Sequence, residues 1–246
     1  MTKIAVNGAL GRMGSRIVQL ANQSQDFKVI GAFDQEGSKL SSNALKNCKV
    51  LIDFSSPEGA RLSLKAALDT KTALVIGTTG LDADFESDLQ SASKKIAILR
   101  SPNMSLGANF LFEIASLAAR RLKEGYDIEI WEAHHRLKKD APSGTAKKIA
   151  EVIAKEKGWD LEKVVKFGRE GFTGDRKAEE IGIHAIRAGD IVGEHTVMFS
   201  GPGETLEFTH KAQSRDAFAR GALVAALFIS KKKNGLYSMS NILKGE

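Results

Sequence analysis

Short apolar runs alternate with amphipathic stretches through the first hundred residues, and this alternation leaves few folds open to the chain. The stretches between the apolar runs have helical spacing. The apolar runs themselves are KIAV, KVIGAF, KVLIDF, ALVIG and KIAIL. A strand that is apolar on both faces needs a covering layer on each side. The pattern therefore predicts an α/β fold, a doubly wound parallel sheet with helices on both faces.

A glycine-rich loop joins the first apolar run to the first helical stretch. It carries Gly8, Gly11 and Gly14 in NGALGRMG. Glycines at such a turn let a pyrophosphate approach the backbone N–H groups at the positive end of a helix. Asp34 lies 20 residues beyond Gly14, where a carboxylate can accept hydrogen bonds from ribose hydroxyls. The pair predicts a dinucleotide site, although a tight turn without a ligand gives the same glycine spacing.

The pattern changes after Pro102. A helical pattern runs from about Leu106 to Lys123, and a strand, YDIEIWEA, and another helix follow. Three alternating segments joined by glycine-containing turns then predict a mixed or antiparallel sheet with one covered face. The last helix, in RDAFARGALVAALFISKKK, is apolar over much of its surface, so we expect it to pack on the first domain. The expected domains are 1–105 plus 215–246, and 106–214.

The segment HHRLKKDAPSGTA, residues 134–146, concentrates imidazoles, cations and a turn. Adjacent residues on a strand project to opposite faces, so His134 and His135 are poorly placed to share a metal ion, and we expect no metal. Ser143 and Thr145 can serve a helix N-terminus, which binds carboxylate or phosphate. With Lys138 and the imidazoles, the segment reads as an anion receptor with proton donors, or else as a solvated charged loop.

Composition and charge limit the kinds of partner and the cellular compartment that we expect for this chain. The formal net charge is +6, but the basic residues are scattered and the cluster KKK at 231–233 has no aromatic neighbours, so we expect no nucleic acid. The N-terminus lacks the apolar core of a signal peptide, and GALVAALFIS is too short to span a membrane. The single cysteine, Cys48, cannot form an internal disulfide. We expect a soluble, cytoplasmic protein with no membrane partner.

Together these motifs resemble the dihydrodipicolinate reductase family of the lysine and diaminopimelate pathway. The similarity covers nearly the whole chain. It runs through GALGRMG, DFSSPEG, GTTG, SPNMSLGAN, HHRLKKDAPSGTA, IGIHAIRAGDIVGEHTVMFSG and FTHKAQSRDAFARGAL. The resemblance implies a Rossmann-like domain completed by the C-terminal helix, a central α+β domain that binds substrate and forms a homotetramer, and NADH or NADPH as the cofactor.

The resemblance also implies roles for individual residues. His134 is the expected proton donor and acceptor, and Lys138 a proton donor. The cyclic dicarboxylate substrate is expected to contact His135, Ser143, Gly144 and Thr145. The cofactor is expected to contact Gly8, Ala9, Leu10, Gly11, Arg12, Met13, Asp34, Gly77, Thr78, Thr79, Ser101, Pro102, Asn103 and Met104. The implied reaction passes hydride to C4 of the substrate, and protonation of the neighbouring carbon then gives tetrahydrodipicolinate.

Two departures from the family pattern concern the cofactor. Gln35 stands where many relatives carry arginine after the ribose-binding acid, and Ser56 where some carry another arginine. Because Glu36 also follows, a 2′-phosphate would meet carboxylates, and we expect NADH to be used at least as well as NADPH. The alternatives are another dinucleotide reductase, such as an amino-acid dehydrogenase, and a non-enzymatic NADH sensor or nucleic-acid-binding protein.

Overall fold

The computed structural model describes residues 1–122 and 124–245. The chain divides into two units, Met1–Leu106 with Arg215–Glu246, and Gly107–Ser214. Lys123, at which the predicted long helix ends, and Glu246 lie outside the described residues. Among the described residues, no helix has the length and apolar character that crossing a bilayer requires.

The first unit is a parallel sheet with helices on both faces, as the sequence predicts. Numbered in chain order, its elements are β1 (Thr2–Asn7), α1 (Arg12–Gln23), β2 (Phe27–Phe33), β3 (Val50–Asp53), α2 (Pro57–Thr70), β4 (Ala73–Ile76), α3 (Ala83–Ser93), β5 (Ala97–Arg100), α7 (Asp216–Ile229), β11 (Gly235–Tyr237) and α8 (Met239–Lys244). Its six strands lie in the order β11-β5-β4-β3-β1-β2, and all of their pairings are parallel. The chain reverses its direction of travel across the sheet at β1, and open α/β sheets bind ligands at the carboxyl edge of such a strand.

Two cores cover the two faces of this sheet. On β1, Ile4 and Val6 join the core under α1 and α7, whereas Ala5 joins the core under α2 and α3. This alternation is why the strands read as continuous apolar runs. The apolar helix that the sequence analysis expects on the first domain, α7, packs here as predicted, although the short α8 follows it in the chain. Arg16 of α1 donates two hydrogen bonds, of 2.5 and 2.6 Å, to Asp216 of α7.

The helix starts follow from the sequence. Ser56 precedes α2 and its side chain accepts from the N–H of Gly59 at 3.1 Å, with Pro57 in the first helical position. Asp82 precedes α3 and accepts from the N–H of Phe85 at 2.8 Å. Both helices therefore begin at a residue whose side chain caps them.

The second unit contains a mixed five-stranded sheet. Its elements are α4 (Leu106–Arg121), β6 (Asp127–His134), α5 (Gly144–Lys157), α6 (Leu161–Val164), β7 (Val165–Phe167), β8 (Ile181–Arg187), β9 (Gly193–Gly201) and β10 (Glu204–Ala212). The strands lie in the order β10-β9-β6-β8-β7, and the central strand, β6, pairs in parallel with β8 and antiparallel with β9. The core lies under α4 and α5 on one face of the sheet. The predicted α/β class with a second, mixed-sheet domain is confirmed.

Candidate active site

The glycine loop after β1 is shaped for close backbone approach. Gly8 has φ +80°, and a Cβ there would lie 2.3 Å from the carbonyl oxygen of Phe54. A Cβ on Gly14 would lie 2.0 Å from the carbonyl oxygen of Gly8, so only glycine lets α1 pack this tightly on the loop. Gly11 precedes α1 and has no side chain to cap it. The first-turn N–H groups of α1, which include those of Arg12 and Met13, therefore suit an anion.

Asp34 lies just beyond β2 and is tied to the same loop. Its carboxylate accepts from the backbone N–H of Leu10 at 2.9 Å and of Gln35 at 2.8 Å. A carboxylate has about four acceptor sites, so capacity for ribose hydroxyls remains. Leu10 is 68% exposed beside this carboxylate, an apolar surface that a bound nucleotide would cover. These groups fit a dinucleotide.

A buried carboxylate that the sequence analysis did not single out organises the neighbouring loops. Asp53, at the end of β3, is fully buried and accepts from Asn7 Nδ2 at 2.9 Å and Ser55 Oγ at 2.9 Å. It also accepts from Ser63 Oγ and Thr78 Oγ1, each at 2.5 Å. Because the Thr78 hydroxyl donates inward, a contact between Thr78 and a cofactor is left to its backbone.

The other predicted cofactor residues divide into buried and accessible ones. Ser101 and Met104 are 4% and 1% exposed, so their side chains belong to the interior. A Cβ on Gly77 would lie 2.2 Å from the Phe54 ring, which closes that position to any side chain. Exposed or partly exposed positions on these two loops are Thr79, Pro102 and Asn103.

The second candidate site begins on β6, where Glu132 and His134 lie on the same sheet face as Ile128 and Ile130. Side chains two apart on a strand share a face, and the two isoleucines belong to the core under α5. Glu132 is fully buried, and its Oε2 lies 2.5 Å from His134 Nδ1. The sheet thus buries an acid next to the predicted catalytic imidazole.

Arg187, on β8, holds the Glu132 carboxylate from the other side. Its two terminal nitrogens donate to Glu132 Oε2 at 2.9 Å and Oε1 at 2.8 Å, and the Ser143 N–H donates to Oε1 at 3.0 Å. Burial opposes ionisation of Glu132, but the hydrogen bonds from Arg187, His134 and Ser143 outweigh it and hold the pKa of this carboxyl below its usual value. Glu132 is therefore an anion at neutral pH.

His134 responds to the same surroundings. Burial lowers its pKa, and although Glu132 raises it, the charges of Lys138 and Arg187 oppose Glu132, so that the net pKa lies below the ordinary value. His134 is therefore mainly neutral at pH 7. Since Glu132 is ionised and can only accept, the proton of the neutral ring lies on Nδ1, and Nε2 carries the lone pair.

A second histidine and a glycine complete this part of the site. The rings of His134 and His195 meet edge to face, with centroids 5.1 Å apart. Burial lowers the pKa of His195 to about 3, so it is neutral, and its Nε2 lies 3.1 Å from Ser143 Oγ. A Cβ on Gly193 would lie 3.1 Å from His134 Nε2, so the absence of a side chain keeps this nitrogen accessible.

The loop after β6 supplies the cation. The Lys138 N–H donates to the carbonyl oxygen of His135, and Lys138 Nζ lies 2.9 Å from Asp140 Oδ1. The Lys138 side chain keeps 21% of its surface exposed, so the ammonium is accessible to a ligand. His135 Nδ1 is buried and has no hydrogen-bond partner among residues 1–122 and 124–245. A donor or acceptor on a bound ligand would satisfy it.

The α5 N-terminus forms the other side of this segment. Ser143 caps it, accepting from the N–H of Ala146 at 3.2 Å, and is only 2% exposed. The expected substrate contact of Ser143 therefore competes with its cap and with His195. Gly144 is exposed with no atom within 4 Å of a Cβ built on it, and Thr145 follows it in the first turn. Gly144 is therefore open to an anionic group, and Thr145 lies next to it in the first turn.

Three residues of this site, Glu132, Arg187 and His195, were missed by the sequence analysis. Glu132 could have been found, because it lies two residues before His134 on a predicted strand and must share its face. The other two come from strands whose register with β6 is fixed only by the fold, with Arg187 opposite His134 and His195 opposite Glu132.

The chain is similar to known proteins over its whole length. Family models described as dihydrodipicolinate reductase, N-terminus and C-terminus, match residues 2–104 and 107–243. A 4-hydroxy-tetrahydrodipicolinate reductase of Nitrosomonas eutropha is 46% identical, covering 99% of this chain and 98% of the relative. One from Polynucleobacter necessarius is 44% identical, covering 98% of each. A dipicolinate-bound dihydrodipicolinate reductase structure from Paenisporosarcina has a TM-score of 0.80 at 23% identity, covers 98% of this chain and 99% of that one, and shares the fold.

Proposed function

The chain belongs to the dihydrodipicolinate reductase family, and from that membership we propose that it reduces 4-hydroxy-tetrahydrodipicolinate with NADH or NADPH and a proton, giving tetrahydrodipicolinate, the oxidised cofactor and water. The observation that carries this proposal is the buried Glu132–His134 pair, with Nδ1 to Oε2 at 2.5 Å, on the same segment as Lys138 and the α5 N-terminus. Such a site offers cationic and N–H groups for carboxylates, and an imidazole for a proton.

The residues of the second unit have distinct roles in this reaction. The carboxylates of the cyclic substrate bind at Gly144 and Thr145 and beside His135. Lys138 supplies positive charge and a proton from its ammonium group. His134 Nε2, the lone-pair nitrogen of the neutral ring, takes up a proton and passes it to the ring carbon next to the one that is reduced. Glu132 does not touch the substrate, because it is fully buried.

The residues of the first unit hold the cofactor. The first turn of α1 and the Gly8–Met13 loop receive the pyrophosphate, and Asp34 receives the ribose. The loops at 77–79 and 101–104 contact the nicotinamide half, with Thr78, Ser101 and Met104 contributing backbone rather than side chains. When bound, NADH or NADPH supplies the hydride for C4 of the substrate.

A coupled assay tests the reaction. The product of the preceding synthase is supplied as substrate, and oxidation of the cofactor is followed at 340 nm. Lys138→Ala should lower kcat by about 100-fold, within the range for general acid–base groups, because the proton is needed chiefly in the transition state. Lys139→Ala is the matched control and should keep wild-type kcat. Wild-type protein without turnover, or Lys138→Ala with unchanged kcat, would contradict the assignment.

Cofactor choice is tested separately. Asp34 is followed by Gln35 and Glu36, which offer no cation to a 2′-phosphate. We expect kcat/KM for NADH to equal or exceed that for NADPH, and Gln35→Arg to shift the ratio toward NADPH. A hundredfold preference of the wild type for NADPH would refute this.

The proposal includes the wider setting. We expect a cytoplasmic homotetramer assembled through the second unit, acting on a small molecule and not on nucleic acid or membranes. Mass measurement in solution by light scattering tests the assembly, and a mass of one chain would contradict it.

A further inference from the structure

Glu132 and Arg187, next to the proposed catalytic His134, form hydrogen bonds that bear on the orientation and proton position of that histidine. Glu132 receives a hydrogen bond from His134, two from Arg187 and one from the Ser143 backbone. All of these partners lie in the second unit. A fully buried carboxylate is costly unless it is paired and hydrogen-bonded, and here every interaction also orients the imidazole.

We propose that Glu132 is a positioning residue, clamped by Arg187, that fixes His134 as the Nδ1–H tautomer and leaves Nε2 to exchange the proton with the substrate. This inference rests on the proposed function for the identity of the substrate. The tautomer itself is a property of the protein without any ligand. The two claims can therefore fail independently.

The geometry makes the assignment specific. An ionised Glu132 only accepts, so Nδ1 must donate. Arg187 is bidentate, and a fork of two parallel N–H donors fixes the plane of the carboxylate as well as its charge. Gly193 lies beside the opposite ring edge, where a Cβ would come within 3.1 Å of Nε2. The ring is thus held at Nδ1, and residue 193 places no side chain against Nε2.

Charged groups next to His134 lie on its own strand, on the loop that follows the strand and on β8. Glu132 of its own strand favours the imidazolium, whereas Lys138 of the following loop and Arg187 of β8 disfavour it. His195 of β9 is neutral at working pH, and Asp140 is engaged by Lys138. Removing the Glu132 charge removes the interaction that favours the imidazolium and keeps those that disfavour it, so the pKa of His134 falls further in a Glu132→Gln variant.

The same strand offers a matched control. Glu129 also carries two arginines and a histidine, with Arg169 at 2.6 Å, Arg176 at 3.1 Å and His184 at 2.8 Å. It lies three residues before Glu132, on the opposite sheet face. Glu129→Gln therefore removes an equally well-paired carboxylate from β6 without touching His134.

Histidine tautomers are read directly by two-bond proton–nitrogen spectra of the uniformly labelled full-length protein. The His134 signal, one of 5 histidines, is assigned by its loss in His134→Gln. We expect the Nδ1–H pattern for His134 in the wild type and in Glu129→Gln, and a mixture of tautomers in Glu132→Gln. A wild-type spectrum with the proton on Nε2 overturns the proposal without requiring any variant to fold.

Kinetics give the second readout. Glu132→Gln should lower kcat by about 10- to 100-fold, part of what a general acid–base group contributes, with KM changed less than kcat. In the pH profile of kcat for Glu132→Gln, the limb that reports His134 should move to lower pH. Glu132→Asp should recover part of the rate. Glu129→Gln should leave kcat and the limb in place. Equal kcat losses in both variants with no movement of the limb would mean a merely structural role and would refute the inference.

Discussion

Gly193→Ala should reduce turnover by crowding the proposed reactive nitrogen. The added Cβ would lie 3.1 Å from His134 Nε2, 3.4 Å from His134 Cδ2 and 3.7 Å from His195 Cε1. The ring cannot easily yield, because its other nitrogen is 2.5 Å from Glu132, which Arg187 clamps. A shift of a few tenths of an ångström must therefore weaken the His134–Glu132 bond or displace β9.

The size of the effect follows from that bond. A hydrogen bond to a charged group contributes about 1.5–3 kcal/mol. Each ~1.4 kcal/mol in the barrier changes a rate about tenfold. We therefore expect kcat to fall about 10- to 100-fold. The free energy of unfolding should fall by less than the bond contributes, because alanine restricts the unfolded chain more than glycine does and offsets about 0.4–1 kcal/mol of the loss.

The assay is steady-state oxidation of NADH with the synthase product, beside thermal unfolding of the same samples. Gly203→Ala serves as the control, since this turn glycine has φ +79° with open space around it. That variant should lose stability through backbone strain and keep wild-type kcat. If Gly193→Ala turns over within twofold of the wild type, the access argument for Nε2 is wrong.

Other predictions concern packing and titration elsewhere. Gly14→Ala should lower Tm more than Gly11→Ala in a thermal melt, because their Cβ atoms would lie 2.0 and 3.2 Å from the Gly8 carbonyl oxygen; equal shifts would contradict this. Burial raises the pKa of the Cys48 thiol to about 11, so at pH 8 a disulfide reagent should label native protein far more slowly than denatured protein, and equal rates would refute it. Burial opposes ionisation of Glu129, but hydrogen bonds from Arg169, His184 and Arg176 lower its pKa from 4.5 to about 2. The stabilisation is therefore present above pH 4.5 and is lost as the pH falls toward 2. In Glu129→Gln, the free energy of unfolding from urea denaturation should depend less on pH over this range than it does in the wild type. An unchanged pH dependence would disprove this assignment.

Local rules carried the fold prediction a long way. Doubly apolar runs such as KVLIDF predicted buried parallel strands, and β3 is fully buried. Ser56 and Asp82 cap the helices that they precede, and a cap depends only on residues within one turn of the chain. The predicted long helix from Leu106 was placed correctly at its start, whereas the structure ends it at Arg121.

The site was predictable only where its residues are close in the chain. His134, Lys138 and the α5 N-terminus lie within one segment, and chemistry at that spacing pointed to an anion receptor. Arg187 and Asp53 act through partners 55 and 46 residues away, Glu132 and Asn7. Strand register and loop packing create those contacts, and neither can be derived from local periodicity.

The first unit is built from two separate segments of the chain, and this affects the order in which the two units can fold during synthesis. Its sheet is completed by β11, and one of its cores by α7, both of which are translated after the whole of the second unit. Domains tend to fold as units while the chain emerges. The second unit can therefore reach its native state on the ribosome first. Until α7 and β11 are made, the strands of the first unit keep an apolar face exposed. If chaperones assist folding, we expect them to bind the first unit, because its synthesis begins first and its folding is completed last.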